Sequence, residues 1–245
     1  MYELTLCLPA DKQKCICEFS KNIEKDIKDN SGIIVKQNLS GKSYLALAVE
    51  DKQKDYLKSL VLDFILKVVI EDYKFNYFKE HLISGSNAKV TEAFLMAVSI
   101  FDAEIDRDVI TSQLELSGEI VVDSFYHFKL QSLKDRWHRT ANIINQNGVM
   151  NNENSMIDVI RYLCAVSDNN SVLVNLMFVG GQIELKNYFN AKKFKVDHNG
   201  ISSLYAEMIK LNPMKINIKF DDGEPEFEEV METLKSVFED KIYFN

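Results

Sequence analysis

Met214-Lys215-Ile216-Asn217-Ile218-Lys219-Phe220 alternates apolar and polar residues without a break. A period of two places Met214, Ile216, Ile218 and Phe220 on one side of a strand and the lysines and asparagine on the other. The segment therefore predicts a strand with one buried face and one wet face. On both sides of it the period changes. Upstream, Ile201, Leu204, Tyr205, Met208 and Ile209 recur at three- and four-residue spacing, a helical stripe that closes at Asn212-Pro213. Downstream, Pro225 stands where the first residue of a helix belongs, and Phe227, Val230, Met231, Leu234, Val237 and Phe238 form that helix's apolar face. Ile242–Phe244 predicts a short final strand. Before all of these, Val172–Val179 is a dense β-branched run that Gly180-Gly181 turns into Ile183–Phe189. Residues 169–245 thus read as β-β-α-β-α.

The amino-terminal part shows the same switching. Tyr2–Leu8 reads as a strand stopped at Pro9, and Ile16, Phe19, Ile23 and Ile27 follow as an amphipathic helix ended by Asn30-Ser31-Gly32. Ile33–Leu39 and Tyr44–Val49 then form two strands joined around Ser40-Gly41, so residues 1–53 are β-α-β-β. Between these ends, residues 54–168 carry helical spacing almost throughout. One long helix is expected from Leu57 through Tyr73 and Tyr77 to Ser84-Gly85, a second over Val90–Phe101, and a short one over Arg107–Leu114. Another long one is expected from an N-cap at Ser117 to Asn147-Gly148, and a last one over Asn154–Val166. The fold class is α+β, with α/β amino- and carboxy-terminal portions flanking a central helical bundle in one compact molecule. Nothing in the pattern says whether the two β portions share a sheet.

Composition excludes several classes of function. At 245 residues, 46% hydrophobic and 27% charged, the chain has the make-up of an ordinary globular protein. Its start reads as no signal peptide, since Met1–Pro9 has no basic residue and too short an apolar run. The most apolar window, Leu57–Ile70, is broken by Lys58, Asp63 and Lys67, and a membrane span needs about 20 apolar residues. A cytoplasmic location is expected. Cys7, Cys15, Cys17 and Cys164 do not make a disulfide framework, and the Cys15–Cys17 pair has no neighbouring ligands to complete a zinc site. The net charge of −8 equals that of residues 221–240, which hold nine carboxylates and one lysine. The rest of the chain is near neutral and carries only four arginines, which disfavours a nucleic-acid partner.

Three stretches together resemble the YtxC-like family of sporulation proteins from endospore-forming bacteria. The first is Asp123-Ser124-Phe125-Tyr126-His127-Phe128-Lys129-Leu130 with the helix after it, similar to that family's F-x-x-F-R-L helix. The second is Ile157–Val166, and the third is the helix, strand and helix of Ile201–Phe244. Lys129 stands where the family pattern has arginine, and a lysine does not reproduce a bidentate contact. The resemblance implies a role in endospore formation. It implies no activity, cofactor or catalytic residue.

Individual residues offer several readings. Asp123 and His127, four apart on a helix, share a face and have the look of an oriented general base or of a simple surface pair. His127 and His138 return to nearly the same face, but eleven residues rise about 16 Å along an unbroken helix, too far for one metal ion. Lys129, Lys134, Arg136, His138 and Arg139 surround Trp137, the one tryptophan. These six residues are the candidate partner surface, because tryptophan and arginine anchor interfaces. The alternatives are RNA stacking, or a solvated basic face with the indole turned inward. The acidic run Asp221–Glu229 lacks the spacing of a calcium loop and suits the start of a helix. Gly180-Gly181 lacks a phosphate-loop pattern and reads as a hairpin turn. Asn199 is the expected cap of the helix at Ile201, with His198 beside it.

No catalytic, cofactor-binding or metal motif emerges. The reading that follows is a non-enzymatic interaction module with a protein partner. The alternatives are an enzyme using a cleft between the β portions and the helices, and nucleic-acid binding near Trp137.

Overall fold

The computed structural model describes residues 1–82, 88–166, 170–188, 191–196, 198–220 and 226–244. In chain order they form β1 (Tyr2–Pro9), α1 (Gln13–Asp29), β2 (Ile33–Leu39), β3 (Lys42–Val49), α2 (Lys54–Val68), a π-helical turn (Val69–Lys74) and α3 (Phe75–His81). Then come α4 (Ala88–Phe101), α5 (Ala103–Gln113), β4 (Gly118–Val121), α6 (Val122–Lys129), α7 (Gln131–Gln146) and α8 (Glu153–Val166). The chain continues as β5 (Asn170–Val179), β6 (Gln182–Lys186), β7 (Ala191–Lys195), α9 (His198–Leu211), β8 (Pro213–Phe220), α10 (Glu226–Phe238) and β9 (Ile242–Phe244). The class is α+β, as the sequence predicts. The chain divides into two compact units, one of Met1–Lys74 with Ala103–His138 and one of Phe75–Asp102 with Arg139–Asn245. The helix-rich stretch 54–168 is shared between them.

The first unit is built on a sheet of order β2-β3-β1-β4, in which β1 runs antiparallel to β3 and parallel to β4. Alternation fixes its inner face. Leu4, Leu6 and Leu8 of β1 and Leu45, Leu47 and Val49 of β3 are all at most 2% exposed, and α1 covers them with Ile16, Ile23 and Ile27. Ser40 (φ 51°) and Gly41 (φ 75°) are both left-handed, as a two-residue type I′ hairpin turn between β2 and β3 requires. At the end of α1 the Gly32 N–H bonds to Ile27 O at 2.8 Å and the Ser31 N–H to Lys28 O at 3.0 Å, a Schellman cap in which Ser31, not the glycine, takes the left-handed position (φ 59°).

The second unit carries the sheet β7-β6-β5-β8-β9, with β5, β8 and β9 mutually parallel and β5-β6-β7 an antiparallel meander. Val174, Leu176 and Phe178 of β5 and Ile216 and Ile218 of β8 are buried, so the alternation read from residues 214–220 holds at the strand's centre. Helix α4 packs on α8 and α9. Gly180 and Gly181, both left-handed, turn β5 into β6.

The two β portions form separate sheets, a point the sequence left open. Several expectations need correction. Ser117 caps no helix: Gly118–Val121 is a strand because its backbone pairs with β1 from Leu4 to Cys7, and the helical run behind it breaks at Leu130 into α6 and α7. The helix expected to pass unbroken from Leu57 past Tyr77 contains the π turn; its predicted end at Ser84-Gly85 lies outside the described residues, as do Pro225 and the turn at 168–169. Strand β6 stops at Lys186, and β7 was not foreseen. Helix α9 starts at His198, upstream of the cap expected at Asn199.

Candidate functional site

Helices α1 and α2 run antiparallel beside each other in the first unit, and between them lies a groove of about 460 Å³. The same spacing that makes each helix amphipathic supplies its floor: Phe19 and Ile23 from α1, and Leu60, Phe64 and Val68 from α2. Phe19 and Phe64 stack with ring centroids 4.3 Å apart. On α1 the lining extends from Cys15 to Ile23, about 12 Å at 1.5 Å per residue, which is the length of two helical turns. Around this floor stand four carboxylates, Glu18 on α1 and Asp63, Glu71 and Asp72 on α2 and the π turn, against one ammonium, Lys67. Arg107 Nη2 touches Asp63 Oδ1 at 2.6 Å, both side chains being more than half exposed, and Lys12 Nζ donates to Asp72 Oδ2 at 2.5 Å. Exposed pairs of the first kind hold for about 0–1 kcal/mol and exchange readily for another cation.

Cys15 sits at one end of the groove. Burial pushes its thiol above the ordinary value, and the Asp72 charge adds to the effect. The thiol is thereby kept protonated, the opposite of what a nucleophilic cysteine needs. At this end of the groove the half-buried Cys15 thiol lies beside Phe19 and Asp72.

Behind the groove the π turn directs two consecutive side chains inward, Tyr73 at 9% and Lys74 at 1% exposure. An α-helix sends neighbours in directions 100° apart; the wider turn relaxes that constraint. The Tyr73 hydroxyl donates to Asp123 Oδ1 at 3.1 Å and its ring stacks on Tyr126, while Lys12 Nζ lies 4.7 Å from its centroid. Burial and the Asp123 charge push the Tyr73 phenol far above its usual range. Lys74 Nζ reaches the fully buried Asp106 Oδ2 at 2.6 Å, and Arg136 Nη2 and Trp137 Nε1 each approach Asp106 Oδ1 at 3.4 Å. Charged groups this deep persist only when paired and hydrogen-bonded, and here the cluster ties the π turn, α5 and α7 together.

The candidate partner surface fares differently residue by residue. Trp137 is 1% exposed, packed near Tyr126 and under Lys74, so it is a core residue and no docking anchor. Of the basic residues around it, Lys134, Arg136, His138 and Arg139 lie on other faces of α7 and Lys129 ends α6. Leu130, Leu133, Trp137 and Ala141 form one buried stripe at helical spacing, and that spacing was the signal for the indole's burial. Arg136 is partly buried against Asp106, and Lys134 donates to His127 O at 2.9 Å and lies over the Tyr126 ring. Lys129, His138 and Arg139 are exposed. Asp123 and His127 do meet, at 3.5 Å on the surface of α6. The break between α6 and α7 removes the unbroken helix assumed for His127 and His138. Among the described residues no group of three His, Cys, Asp or Glu side chains is placed to hold a metal ion. The acidic run 221–229 falls outside the described side chains, and so does His198. Cys7, Cys15, Cys17 and Cys164 are free thiols. None of the described helices is long and apolar enough to cross a membrane.

The groove itself was not foreseen. Its residues were read only as the apolar stripes of two helices, and spacing does not reveal which part of a stripe stays uncovered. In comparisons with known proteins, no family model, no curated protein and no solved structure matches the chain.

Proposed function

We propose that this chain is a non-enzymatic protein-interaction module of the cytoplasm, acting in endospore formation as its resemblance to the YtxC-like family implies. We further propose that its α1–α2 groove receives a short amphipathic helix with basic flanks. One observation carries this reading: an apolar slot two helical turns long whose lining holds four carboxylates and one lysine, with Asp63 paired to Arg107 in an exposed bridge and Asp72 to Lys12. Such a slot accepts the apolar residues of a helix at i, i+3 or i+4, and i+7, and its border favours lysine or arginine beside them. Burying two such anchors contributes about 3–6 kcal/mol before the cost of association, which suits a reversible partner.

The test is a pair of tagged baits in sporulating cells, the wild-type chain and a Glu18→Lys/Leu60→Lys variant. Glu18 borders the groove and the half-buried Leu60 belongs to its floor, both outside the Asp106 cluster, and the variant's melting temperature shows whether it is folded. Capture of one partner by the wild type and its loss with the folded variant is the expected result. Equal capture by both baits, or no specific capture, refutes the reading. The same volume also falls in the range of small-ligand sites. A thermal shift of the wild type with an apolar compound, absent in the variant, would move the assignment to that alternative.

A further inference from the structure

The first unit's sheet ends on one side at β2, seven residues paired to β3 in unbroken register from Ile33↔Ala48 to Leu39↔Lys42. The strand contains no proline and no bulge. Ile33, Val35 and Leu39, all on the face away from α1, are 54%, 53% and 55% exposed, and among the described residues no strand pairs with the outer side of β2. The hairpin geometry decides which backbone groups are free. In a two-residue turn the flanking residues, Leu39 and Lys42, form a hydrogen-bonded pair, and hydrogen-bonded pairs recur at every second residue. Ile33, Val35, Gln37 and Leu39 therefore bond to β3, while Ile34, Lys36 and Asn38 aim their N–H and C=O groups outward. Three donors and three acceptors stand in a row beside an apolar stripe.

The other described edges are unlike it. β4 has four residues and β9 three, and β7 is guarded by Lys192, Lys193 and Lys195. On β2 there is a single charge, Lys36, at the centre. That lysine discriminates between occupants. A second copy pairing antiparallel with full use of the outward groups is centred on Lys36, placing it directly opposite its own equivalent, which is destabilising. A segment with a carboxylate there meets the opposite condition. Glu24, whose carboxyl feels Lys36, is bridged by Lys28 at 2.6 Å, so Lys36 remains available to an incoming acid.

We propose that β2 is a docking edge to which an extended segment of another protein adds antiparallel as a fifth strand, with a carboxylate opposite Lys36 and apolar residues opposite Ile33, Val35 and Leu39. This is strand addition, independent of the groove and of the helix expected there.

The probe is a fluorescein-labelled, end-capped peptide Val-Thr-Thr-Glu-Val-Thr-Val, with a second peptide carrying Lys in place of Glu. Anisotropy with the full chain at low salt should show the Glu peptide binding at least tenfold more tightly than the Lys peptide. Amide exchange should slow at Ile34, Lys36 and Asn38 on binding and stay unchanged at Val35 and Gln37. Lys36→Pro removes an outward N–H but no bond to β3, so it should abolish binding of both peptides with the fold retained. Lys36→Ala keeps the N–H and should bind both peptides alike, which guards against misfolding of the proline variant. Equal binding to wild type and Lys36→Pro, protection at other amides, or no binding at all overturns the proposal. So does a concentration-dependent dimer of the chain that Lys36→Pro dissolves, which makes a second copy the occupant.

Discussion

Replacing Asp106 by asparagine tests whether the first unit depends on its buried ion cluster. Asp106 is 0% and Lys74 1% exposed, and the ammonium touches the carboxylate at 2.6 Å. Breaking a buried ion pair of this kind costs about 3–5 kcal/mol. Asparagine keeps an oxygen for Trp137 Nε1, now 3.4 Å from Asp106 Oδ1, and so avoids the further cost of about 1–3 kcal/mol for an orphaned indole N–H. Against a typical total of about 5–15 kcal/mol, the single change removes roughly a fifth or more of the stability. Lys74→Met should cost less, toward 3 kcal/mol, because Arg136 remains 3.4 Å from the carboxylate. The double variant Lys74→Met/Asp106→Asn removes both charges of the buried pair, and should be more stable than the sum of the singles by about 2–3 kcal/mol. Urea unfolding followed by the fluorescence of Trp137, the chain's one tryptophan, reports on this cluster directly. A loss below about 1 kcal/mol for Asp106→Asn, or additive singles, would refute the account of a desolvated, mutually dependent pair.

Three further outcomes are expected. The Tyr73 phenol titrates higher in the folded chain than its ordinary value of 10.0, so between those values the folded state holds a proton that the unfolded state has lost. That contribution is complete below pH 10 and fades as pH rises above it, and Tyr73→Phe should flatten the alkaline decline in melting temperature. A Cβ at Gly32 would stand 2.8 Å from Ile27 Cγ2 and 2.9 Å from Ala48 O, so Gly32→Ala should destabilise by about 1–3 kcal/mol in the same urea assay, whereas Ser31→Gly, relieving a left-handed serine, should stabilise by roughly 0.5–1 kcal/mol.

What the sequence revealed and what it hid divide along the range of the interactions. Local signals were sufficient for β1 to β3, for α1, and for the strand and helices around Ile216, because alternation, turn residues and helical stripes are written within a few positions. β4 was missed because its four residues are a strand only by virtue of pairing with β1, more than a hundred positions away. The π turn was missed because spacings of three and four tolerate one inserted residue, and the buried Lys74 sat in a segment that reads as an ordinary charged helix. Trp137 was misplaced for the opposite reason: its basic neighbours drew attention from the stripe of Leu130, Leu133 and Ala141 to which it belongs. The groove and the β2 edge are properties of what remains uncovered after folding, and no local pattern encodes them.

The pairing of β1 with β4 also sets a clock. Leu4 bonds beside Gly118, so the ribosome must add some 110 residues between making one strand and making its neighbour. At 5–20 residues per second that interval is roughly 5–20 s. Throughout it, the flank of β1 that β4 covers in the folded unit stays without that partner. Each unit is also assembled from two separated lengths of polypeptide, so no single cut releases either one whole.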